Sequence, residues 1–277
     1  MIHDYEVNKI YKDEFGAVSG VFVYNKPVGI TSHDAVYKFR KHLGTKKVGH
    51  AGTLDPFADG ILVILAGKAT KLSDKLLNKD KEYIARVLLG VETNSGDPEG
   101  DITESINSEI KLDLPEMSKV MERFKSNYIQ SVPLFSSVKV KGRKLRELAR
   151  EYSSFKIESL ENKKIVSFYK DNEIVETIEL PSKEVNIYNY EITNSGVILK
   201  EDILKAFKKA FSKKEINPSL LALTQYNYID IRLHVSKGTY IRQFAVDLGK
   251  AIGVPSMLLN LKRTKVGEFS LDNVYDL

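Results

Sequence analysis

Segments with strand character and segments with helix character follow one another along this chain without regular spacing. Apolar strand-like runs occur at 20–24, 61–65 and 81–89, and helix-like patterns with one apolar face occur at 32–43 and 239–248. A doubly wound parallel sheet would require strands and helices to alternate in regular βαβ units. The irregular order therefore predicts an α+β fold rather than a Rossmann-like one.

The composition limits the chemistry available to the chain. Its 277 residues include no cysteine, which excludes disulfide scaffolds, cysteine-ligated zinc, iron–sulfur clusters and thiol catalysis. The longest strongly apolar run, residues 61–66, is too short to span a bilayer, and the first residues lack a secretory signal pattern. We therefore expect a single cytoplasmic domain over residues 1–277 with no membrane association, in which residues 1–19 form an N-terminal extension.

Positive charge is concentrated in two separate stretches, although the formal net charge is only +5. Residues 35–54 and 131–146 each contain five lysines or arginines and no acid, whereas the turn-rich segment 93–109 is acidic and is predicted to be a surface connection. Separated basic stretches suit a polyanion such as a nucleic acid. On charge alone, a solvated lysine-rich face is the simpler interpretation.

The loop at residues 49–60 is the strongest candidate for a functional segment. It contains three glycines, one proline and two aspartates, a composition typical of a shaped loop on a rigid scaffold. Asp55 precedes Pro56, which favours an extended backbone and fixes the direction of the carboxylate. Such a carboxylate can act as a nucleophile, a base or a metal ligand, or it can simply cap the next segment. No second histidine cluster is near, so we expect no metal.

This loop and several other motifs resemble, in the same order, those of the bacterial tRNA pseudouridine-55 synthase family (TruB type). The loop itself carries Gly49-His-Ala-Gly-Thr-Leu-Asp-Pro56. The other matching segments are residues 25–32, 67–71, 80–83, 135–150, 236–249 and 261–263. Together they extend the resemblance over roughly residues 20–265.

The resemblance implies both a fold and a reaction. The fold is a mixed, mainly antiparallel central sheet flanked by helices and loops, with an RNA-gripping thumb inserted at 131–152. The reaction is the isomerisation of uridine to pseudouridine at position 55 in the T arm of tRNA, after the nucleotide is flipped out of its stack. The N1–C1′ bond breaks, the base rotates and is rejoined through C5, so neither a cofactor nor a metal is implied. The implied partner is the T arm stem-loop, and a monomer is expected.

The same resemblance assigns roles to residues of this chain. Asp55 corresponds to the nucleophile, which attacks C1′ of the ribose or C6 of the uracil. Tyr83 corresponds to the tyrosine that stacks on the flipped base and is implicated in proton removal. Arg242 corresponds to the arginine paired with the nucleophile, and an opposite charge at that range stabilises an ionised carboxylate. Substrate-binding roles are implied for His50, Lys71, Tyr240, Leu261, Lys139 and Arg143.

Some residues depart from the family pattern. Phe57 and Asp59 follow the nucleophile where a leucine and a small or hydroxyl residue are usual, and Asp59 would add a second negative charge if it faced the same pocket. Arg146 replaces a thumb tyrosine. Only 14 residues follow Arg263, so we expect no full C-terminal RNA-binding appendage. The lysine-rich helix predicted at 201–216 could compensate through Lys208, Lys209, Lys213 and Lys214.

Two other functions are compatible with these residues. One is a non-catalytic tRNA-binding or tRNA-folding module on the same scaffold, which an intact Asp55, Tyr83 and Arg242 disfavour. The other is an N-glycoside hydrolase, in which a carboxylate faces an anomeric carbon and water is delivered to it. Such hydrolases generally pair two carboxylates. Release of free uracil would identify a hydrolase.

Overall fold

The computed structural model describes residues 5–125, 127–152, 154–160, 163–210 and 216–277. Within these ranges the helices are α1 (Ser32–Leu43), α2 (Ser73–Leu77), α3 (Leu114–Glu122), α4 (Leu145–Glu151), α5 (Lys200–Ala210) and α6 (Ile241–Ala251). The strands are β1 (Tyr11–Lys12), β2 (Val18–Lys26), β3 (Val48–His50), β4 (Asp59–Ala66), β5 (Lys81–Leu89), β6 (Val91–Thr93), β7 (Ile102–Ser105), β8 (Tyr128–Ser131), β9 (Lys139–Val140), β10 (Arg143–Lys144), β11 (Ser154–Leu160), β12 (Lys163–Lys170), β13 (Glu173–Glu179), β14 (Ser182–Val185), β15 (Ile187–Leu199), β16 (Gln225–Val235), β17 (Ser256–Val266) and β18 (Phe269–Ser270). No helix in the described ranges is both long enough and apolar enough to cross a membrane.

A nine-stranded sheet forms the centre of the molecule. Its strand order is β1-β2-β4-β17-β5-β16-β15, with β3 added to β4 and β18 added to β17. Every pairing in the sheet is antiparallel except that of β4 with β17. At this junction Gly60 has φ +108° and a Cβ there would collide with the backbone of Arg263, so glycine is required for the close approach. The predicted α+β fold with a mixed, mainly antiparallel sheet is confirmed.

Strand β4 is buried on both faces, as its uninterrupted apolar sequence predicts. Alternate side chains point to opposite faces. Ile61, Val63 and Leu65 enter one cluster of the core, while Leu62 and Ile64 enter another beneath α1. Because β4 is packed on both faces, the loop that leads into it is anchored at its end by a rigid strand.

Helix α1 has the ends that its sequence predicts. Thr31 is the N-cap, and its hydroxyl oxygen accepts a hydrogen bond from the backbone N–H of Asp34 at 3.0 Å. Gly44 ends the helix in the left-handed conformation, with φ +63°. Helix α6 ends differently from the prediction, because it continues through Gly249 to Ala251. A Cβ at Gly249 would collide with Ser256, so this glycine permits close helix–strand packing rather than stopping the helix.

Residues 131–152 fold as one part of a larger unit. They contain β9, β10 and α4, and they pack on a three-stranded sheet of β11, β12 and β13. The contact is an apolar cluster that includes Leu145, Leu148, Val166 and Phe168. Strands β8 and β14 pair with each other and join this unit to the central sheet. The thumb segment is therefore braced by a second small sheet.

The predicted N-terminal extension lies against the main body from residue 5 onward, while residues 1–4 lie outside the described residues. Strand β1 pairs with the edge strand β2, and Tyr5 and Val7 pack against the core. The lysine-rich helix predicted at 201–216 is α5, Lys200–Ala210. Lys208 and Lys209 lie on it, and the predicted contributions of Lys213 and Lys214 lie outside the described residues.

Candidate active site

The loop that carries Asp55 connects β3 to β4 and is held from beneath by a buried lysine. Lys26 is 0% exposed, and its Nζ donates hydrogen bonds to the backbone carbonyls of Pro27 and Ile30 at 2.9 Å and of Ala58 at 2.7 Å. Burial lowers the pKa of Lys26 to about 8, against the opposing effect of the nearby carboxylates of Asp55 and Asp59. The ammonium therefore ties the end of the loop to the turn between β2 and α1.

A buried arginine fixes the same loop from the neighbouring strand. Arg263 on β17 is 2% exposed, and its guanidinium donates to the carbonyls of Ile61 at 2.7 Å and of Thr53 and Gly52 at 3.1 Å. The hydroxyl of Ser32 donates to the carbonyl of Leu54 and accepts from its N–H, both at 2.9 Å. The carbonyls of Gly52, Thr53 and Leu54 thus all have partners inside the protein, which restricts the backbone that leads to Asp55.

The structure brings together the predicted nucleophile and the predicted arginine. Arg242 Nε donates to Asp55 Oδ2 at 3.0 Å, across 187 positions of sequence. The side chain of Asp55 is 34% exposed, whereas that of Arg242 is only 6% exposed. The arginine therefore orients the carboxylate from within the protein, and the carboxylate remains accessible to a ligand.

Arg242 has further partners on the segment between β6 and β7 and on the thumb. Asp97 Oδ2 lies 3.3 Å from its Nε, and its terminal nitrogens donate to the carbonyls of Ser95 and Phe135 at 3.1 Å. Burial alone would lower the pKa of Arg242, but the surrounding carboxylates outweigh it and leave the pKa above its ordinary value. Asp97 is only 3% exposed. The prediction that 93–109 is merely a surface connection is therefore wrong at this residue.

Glu99 is a second acid of this segment that reaches the loop. Its Oε1 accepts a hydrogen bond from the backbone N–H of Phe57 at 3.0 Å. Burial, together with the negative charges of Asp97 and Asp55, raises the pKa of Glu99 to about 7. Glu99 thus connects the loop to the acids around Arg242, and its ionisation state can change near neutral pH.

Asp55 lies in a cleft of about 550 Å³. Tyr83, Leu261 and Tyr240 also line this cleft, so three of the predicted side chains supply its aromatic and apolar walls. Tyr83 on β5 lies opposite Arg263 on β17 in the sheet register, which places it beside the braced loop. Besides Arg242 and Arg263, the lining residues include four cations, Lys81, Arg146, Lys183 and Lys237, and a second carboxylate, Glu184.

Four other predicted residues do not line this cleft. His50 is half-buried on β3, its Nδ1 has no partner among the described residues, and burial lowers its pKa. Lys71 is exposed on the turn of helix before α2, and Lys139 is exposed on β9. Arg143 forms ion pairs with Glu151 and with Glu176.

The departures from the family pattern fall on different sides of the site. Asp59 pairs with Lys262 at 3.5 Å and lines a separate small cavity beneath α5 with Phe57, so its charge does not enter the cleft. Arg146 does line the cleft. Sequence reasoning gave no site role to Asp97, Glu99 or Arg263. Alternation along β17 would not have identified Arg263, because a register shift between Leu258 and Asn260 places Leu259 and Leu261 in different core clusters.

Chemically, the arrangement presents one oriented carboxylate at the wall of an aromatic-lined cleft with cations around it. Planar rings stack on such aromatic walls, and phosphates are attracted to such cations. Part of the Asp55 carboxylate is exposed to the cleft, so it can attack an electrophilic carbon held there. These properties suit a nucleotide substrate.

The likeness to known proteins extends over most of the chain. A family model described as "TruB family pseudouridylate synthase (N terminal domain)" matches residues 40–170. A protein named tRNA pseudouridine synthase B from Bacillus pumilus is 35% identical over 262 residues, covering 94% of this chain and 69% of that protein. Its namesake from Protochlamydia amoebophila is 36% identical over 257 residues, covering 92% and 77%.

Solved structures share the fold. One, titled "Crystal Structure of a Cbf5-Nop10-Gar1 Complex", superposes with a TM-score of 0.53 at 25% identity, over 91% of this chain and 50% of that chain. Another, of an H/ACA RNP bound to a substrate RNA containing 2′-deoxyuridine, gives 0.51 at 23% identity over 91% and 49%. The chain therefore spans about half the length of these neighbours. On the sequence likeness, which covers more than two thirds of each curated relative named above, the chain belongs to the TruB family of pseudouridylate synthases.

Proposed function

We propose that this chain isomerises uridine to pseudouridine at position 55 in the T arm of tRNA, with Asp55 as the nucleophile. Its membership of a family of pseudouridylate synthases makes it an isomerase. The matched relatives are named as enzymes of tRNA. A non-catalytic tRNA-binding module is not favoured, because the residues that would perform the chemistry are present and assembled.

The observation that carries the proposal is the contact between Arg242 and Asp55. Its 3.0 Å length and the difference in burial between the two side chains mean that the arginine is a fixed support and the carboxylate is the group offered to the substrate. An oriented anion next to a substrate carbon has little reorganisation left before reaction. Glu184 also lines the cleft, but among the described residues there it forms no ion pair with a buried cation.

In the proposed reaction Asp55 attacks C1′ of the ribose or C6 of the uracil. The N1–C1′ bond breaks, the detached base rotates, and a new bond forms between C5 and C1′. The bond between Asp55 and the substrate also breaks, which restores the free carboxylate. The hydrogen on C5 then leaves as a proton, and N1 gains one. No electron is transferred to another molecule and the mass of the nucleoside is unchanged, so the step balances without a co-reactant.

The cleft supports the proposal by its size and its walls. A volume of about 550 Å³ is within the range of small-molecule sites, so one extruded nucleotide fits there. In this proposal Tyr83 stacks on the flipped base, Leu261 forms an apolar wall, and Tyr240 adds a second aromatic ring. Extrusion from a folded loop costs a few kcal/mol, which stacking and pocket contacts offset.

The thumb supports binding of the RNA backbone in this proposal. Residues 131–152 bring Arg146 to the cleft and expose Lys139 on the adjacent β9. RNA stem-loops are recognised largely by shape and by phosphate contacts. A thumb that places cations beside an aromatic-lined cleft would grip the T arm while the target nucleotide enters.

Carbodiimide mapping of pseudouridine tests the proposal directly. Purified protein is incubated with an unmodified tRNA transcript and with a matched transcript that carries cytidine at position 55 of the tRNA. The expected result is one reverse-transcription stop, immediately 3′ of position 55, in the first RNA and none in the second. Modification at another uridine would contradict the position, and release of free uracil would indicate a hydrolase instead.

A further inference from the structure

The ribbon formed by β8 and β14 grips the residue at the start of α6. Gln130 on β8 is 0% exposed. Its Oε1 accepts a hydrogen bond from the backbone N–H of Tyr240 at 2.7 Å, and its Nε2 donates to the carbonyl of Tyr240 at 2.9 Å. One side-chain amide thus satisfies both backbone polar groups of one residue, as a neighbouring strand would.

Lys183, the cross-strand neighbour of Gln130, contacts the same residue through its ring. Lys183 on β14 lies opposite Gln130 in the register, and its ammonium is 4.4 Å from the centre of the Tyr240 ring. This is the range of a cation–π contact. The two paired strands therefore hold Tyr240 by its backbone and by its ring.

The position of Tyr240 affects the reacting groups, because Tyr240 lines the cleft and begins the helix that carries Arg242. It is the N-cap of α6 and makes no side-chain capping bond, so the helix start depends on other contacts. Its carbonyl also accepts the first bond of the helix, from the N–H of Phe244 at 3.0 Å. Arg242, which orients Asp55, is two residues further on. A shift in Tyr240 would therefore move both a cleft wall and the guanidinium.

A buried polar network fixes Gln130 in turn. Its Nε2 also contacts the hydroxyl of Tyr128 at 3.2 Å, and that hydroxyl donates to Asp247 Oδ2 at 2.6 Å. Asp247 Oδ1 accepts from Gln243 Nε2 at 2.7 Å and lies 3.7 Å from Lys164 of β12. A fully connected network of this kind holds its members in one geometry. The orientation of the Gln130 amide is consistent with its acceptor facing an N–H and its donor facing a carbonyl.

We propose that Gln130 is a positioning residue for the isomerisation: its amide fixes the backbone of Tyr240 and thereby sets Tyr240 and Arg242 relative to Asp55. This rests on the proposed function. Gln130 itself does not line the cleft, so it acts through Tyr240 and not on the substrate. Misplacement of reacting groups by about 1 Å can lower a rate by about 100-fold, which makes the effect measurable.

The test compares Gln130→Met with Gln243→Met. Both variants remove one buried side-chain amide, but the Gln243 amide bonds Asp247 Oδ1 and not Tyr240, and its loss leaves the bonds of Gln130 to Tyr240 and of Tyr128 to Asp247 Oδ2 in place. We expect Gln130→Met to lower kcat by roughly 10- to 100-fold with KM for tRNA within about twofold, and Gln243→Met to leave kcat within about threefold. Equal losses of kcat in the two variants, or no loss in Gln130→Met, would overturn the proposal.

A second measurement needs no catalysis. Hydrogen–deuterium exchange of the peptide around residues 236–244 should speed up at the amide of Tyr240 in Gln130→Met and not in Gln243→Met. If Gln130→Met fails to fold, Gln130→Asn replaces it: its amide is one methylene shorter and cannot bond both backbone groups of Tyr240, so the same loss of kcat and faster exchange are expected, and unchanged values would refute the role. A wild-type protein that makes no pseudouridine would refute the proposed function, whereas unchanged exchange refutes only this inference.

Discussion

The loop at residues 51–58 and the thumb at residues 131–152 both depend on cations, but the cations of the loop are buried and those of the thumb lie at the surface. Beneath the loop, Lys26 of β2 and Arg263 of β17 are almost completely buried and donate to its backbone carbonyls. In the thumb, Arg143 and Lys144 lie near the surface and pair with acids of the same unit. The first arrangement fixes a backbone, and the second keeps positive charge at the surface.

The difference teaches which effects to expect from each region. Buried cations whose partners are carbonyls cannot be removed without leaving those carbonyls unpaired, so the loop should tolerate little change. Surface ion pairs contribute little to stability and can exchange an acid for a phosphate. Chemistry and stability should therefore respond to substitutions in the loop, and RNA affinity should respond to substitutions in the thumb.

The largest expected effect is at Asp55, where catalysis should be lost and tRNA binding kept. Asp55→Asn keeps an oxygen that can accept from Arg242 but removes the anionic nucleophile, so we expect pseudouridine formation to fall by at least about 1,000-fold with tRNA affinity within about threefold. Loss of tritium from C5-labelled uridine in single-turnover reactions measures the first, and filter binding measures the second. A rate within tenfold of wild type would remove Asp55 from the mechanism.

The next effect tests the bracing of the loop. Arg263→Met leaves the carbonyls of Gly52, Thr53 and Ile61 without their donor, so we expect a loss of about 3 kcal/mol in the free energy of unfolding. Urea denaturation measures it. The matched control is Arg232→Met on β16, where an exposed arginine pairs with an exposed Glu191 and a change under about 1 kcal/mol is expected. Similar losses in the two variants would show that the loop is not specially braced.

The sequence predicted most of the central fold, because local patterns determine it. The caps of α1, the burial of β4 and the bounds of β5 all follow from residues adjacent in sequence. The end of α6 could not be predicted in this way. A glycine after the last apolar position commonly ends a helix, but the close contact between Gly249 and Ser256 on β17 decides its role here. The three-stranded sheet behind the thumb likewise depends on pairing between distant segments.

The residues of the candidate site that lie in recognisable motifs could be predicted from the sequence, whereas those that reach the site only because the fold buries them could not. Asp55, Tyr83 and Arg242 came from recognisable motifs, and the structure brings all three to one cleft. Asp97 and Glu99 lie in an acidic, turn-rich segment that resembles an ordinary surface connection in sequence. Only the fold shows that this segment turns inward and meets a guanidinium, since a local pattern contains no information on that distant partner.

Glu99 offers a smaller, pH-dependent test of the same bracing. Its pKa is raised from 4.5 to about 7, so the folded state binds more protons than the unfolded state between these values, and stability should fall as pH rises through this window. Glu99→Gln removes that loss and should be more stable than wild type by on the order of 1–2 kcal/mol at pH 8, with no gain at pH 4.

Thermal unfolding across pH 4–8 measures the effect of Glu99→Gln. The control is Glu109→Gln, an exposed acid of the same connecting segment, whose stability should follow wild type at every pH. If the stability of Glu99→Gln and of wild type changed with pH in the same way, the pKa of Glu99 would be the same in the folded and unfolded states.

The smallest expected effect lies in the thumb. Lys139 is exposed on β9, so Lys139→Ala should leave stability and kcat unchanged and weaken tRNA binding about two- to fivefold at low salt. Loss of one phosphate contact should also reduce the slope of log affinity against log salt by about 0.7–0.9. Lys9→Ala, at an exposed lysine near the far edge strand β1, should change neither value. If both variants bind like wild type at all salt concentrations, the surface charge of the thumb does not grip RNA, and the contrast with the buried cations of the loop would be one of packing alone.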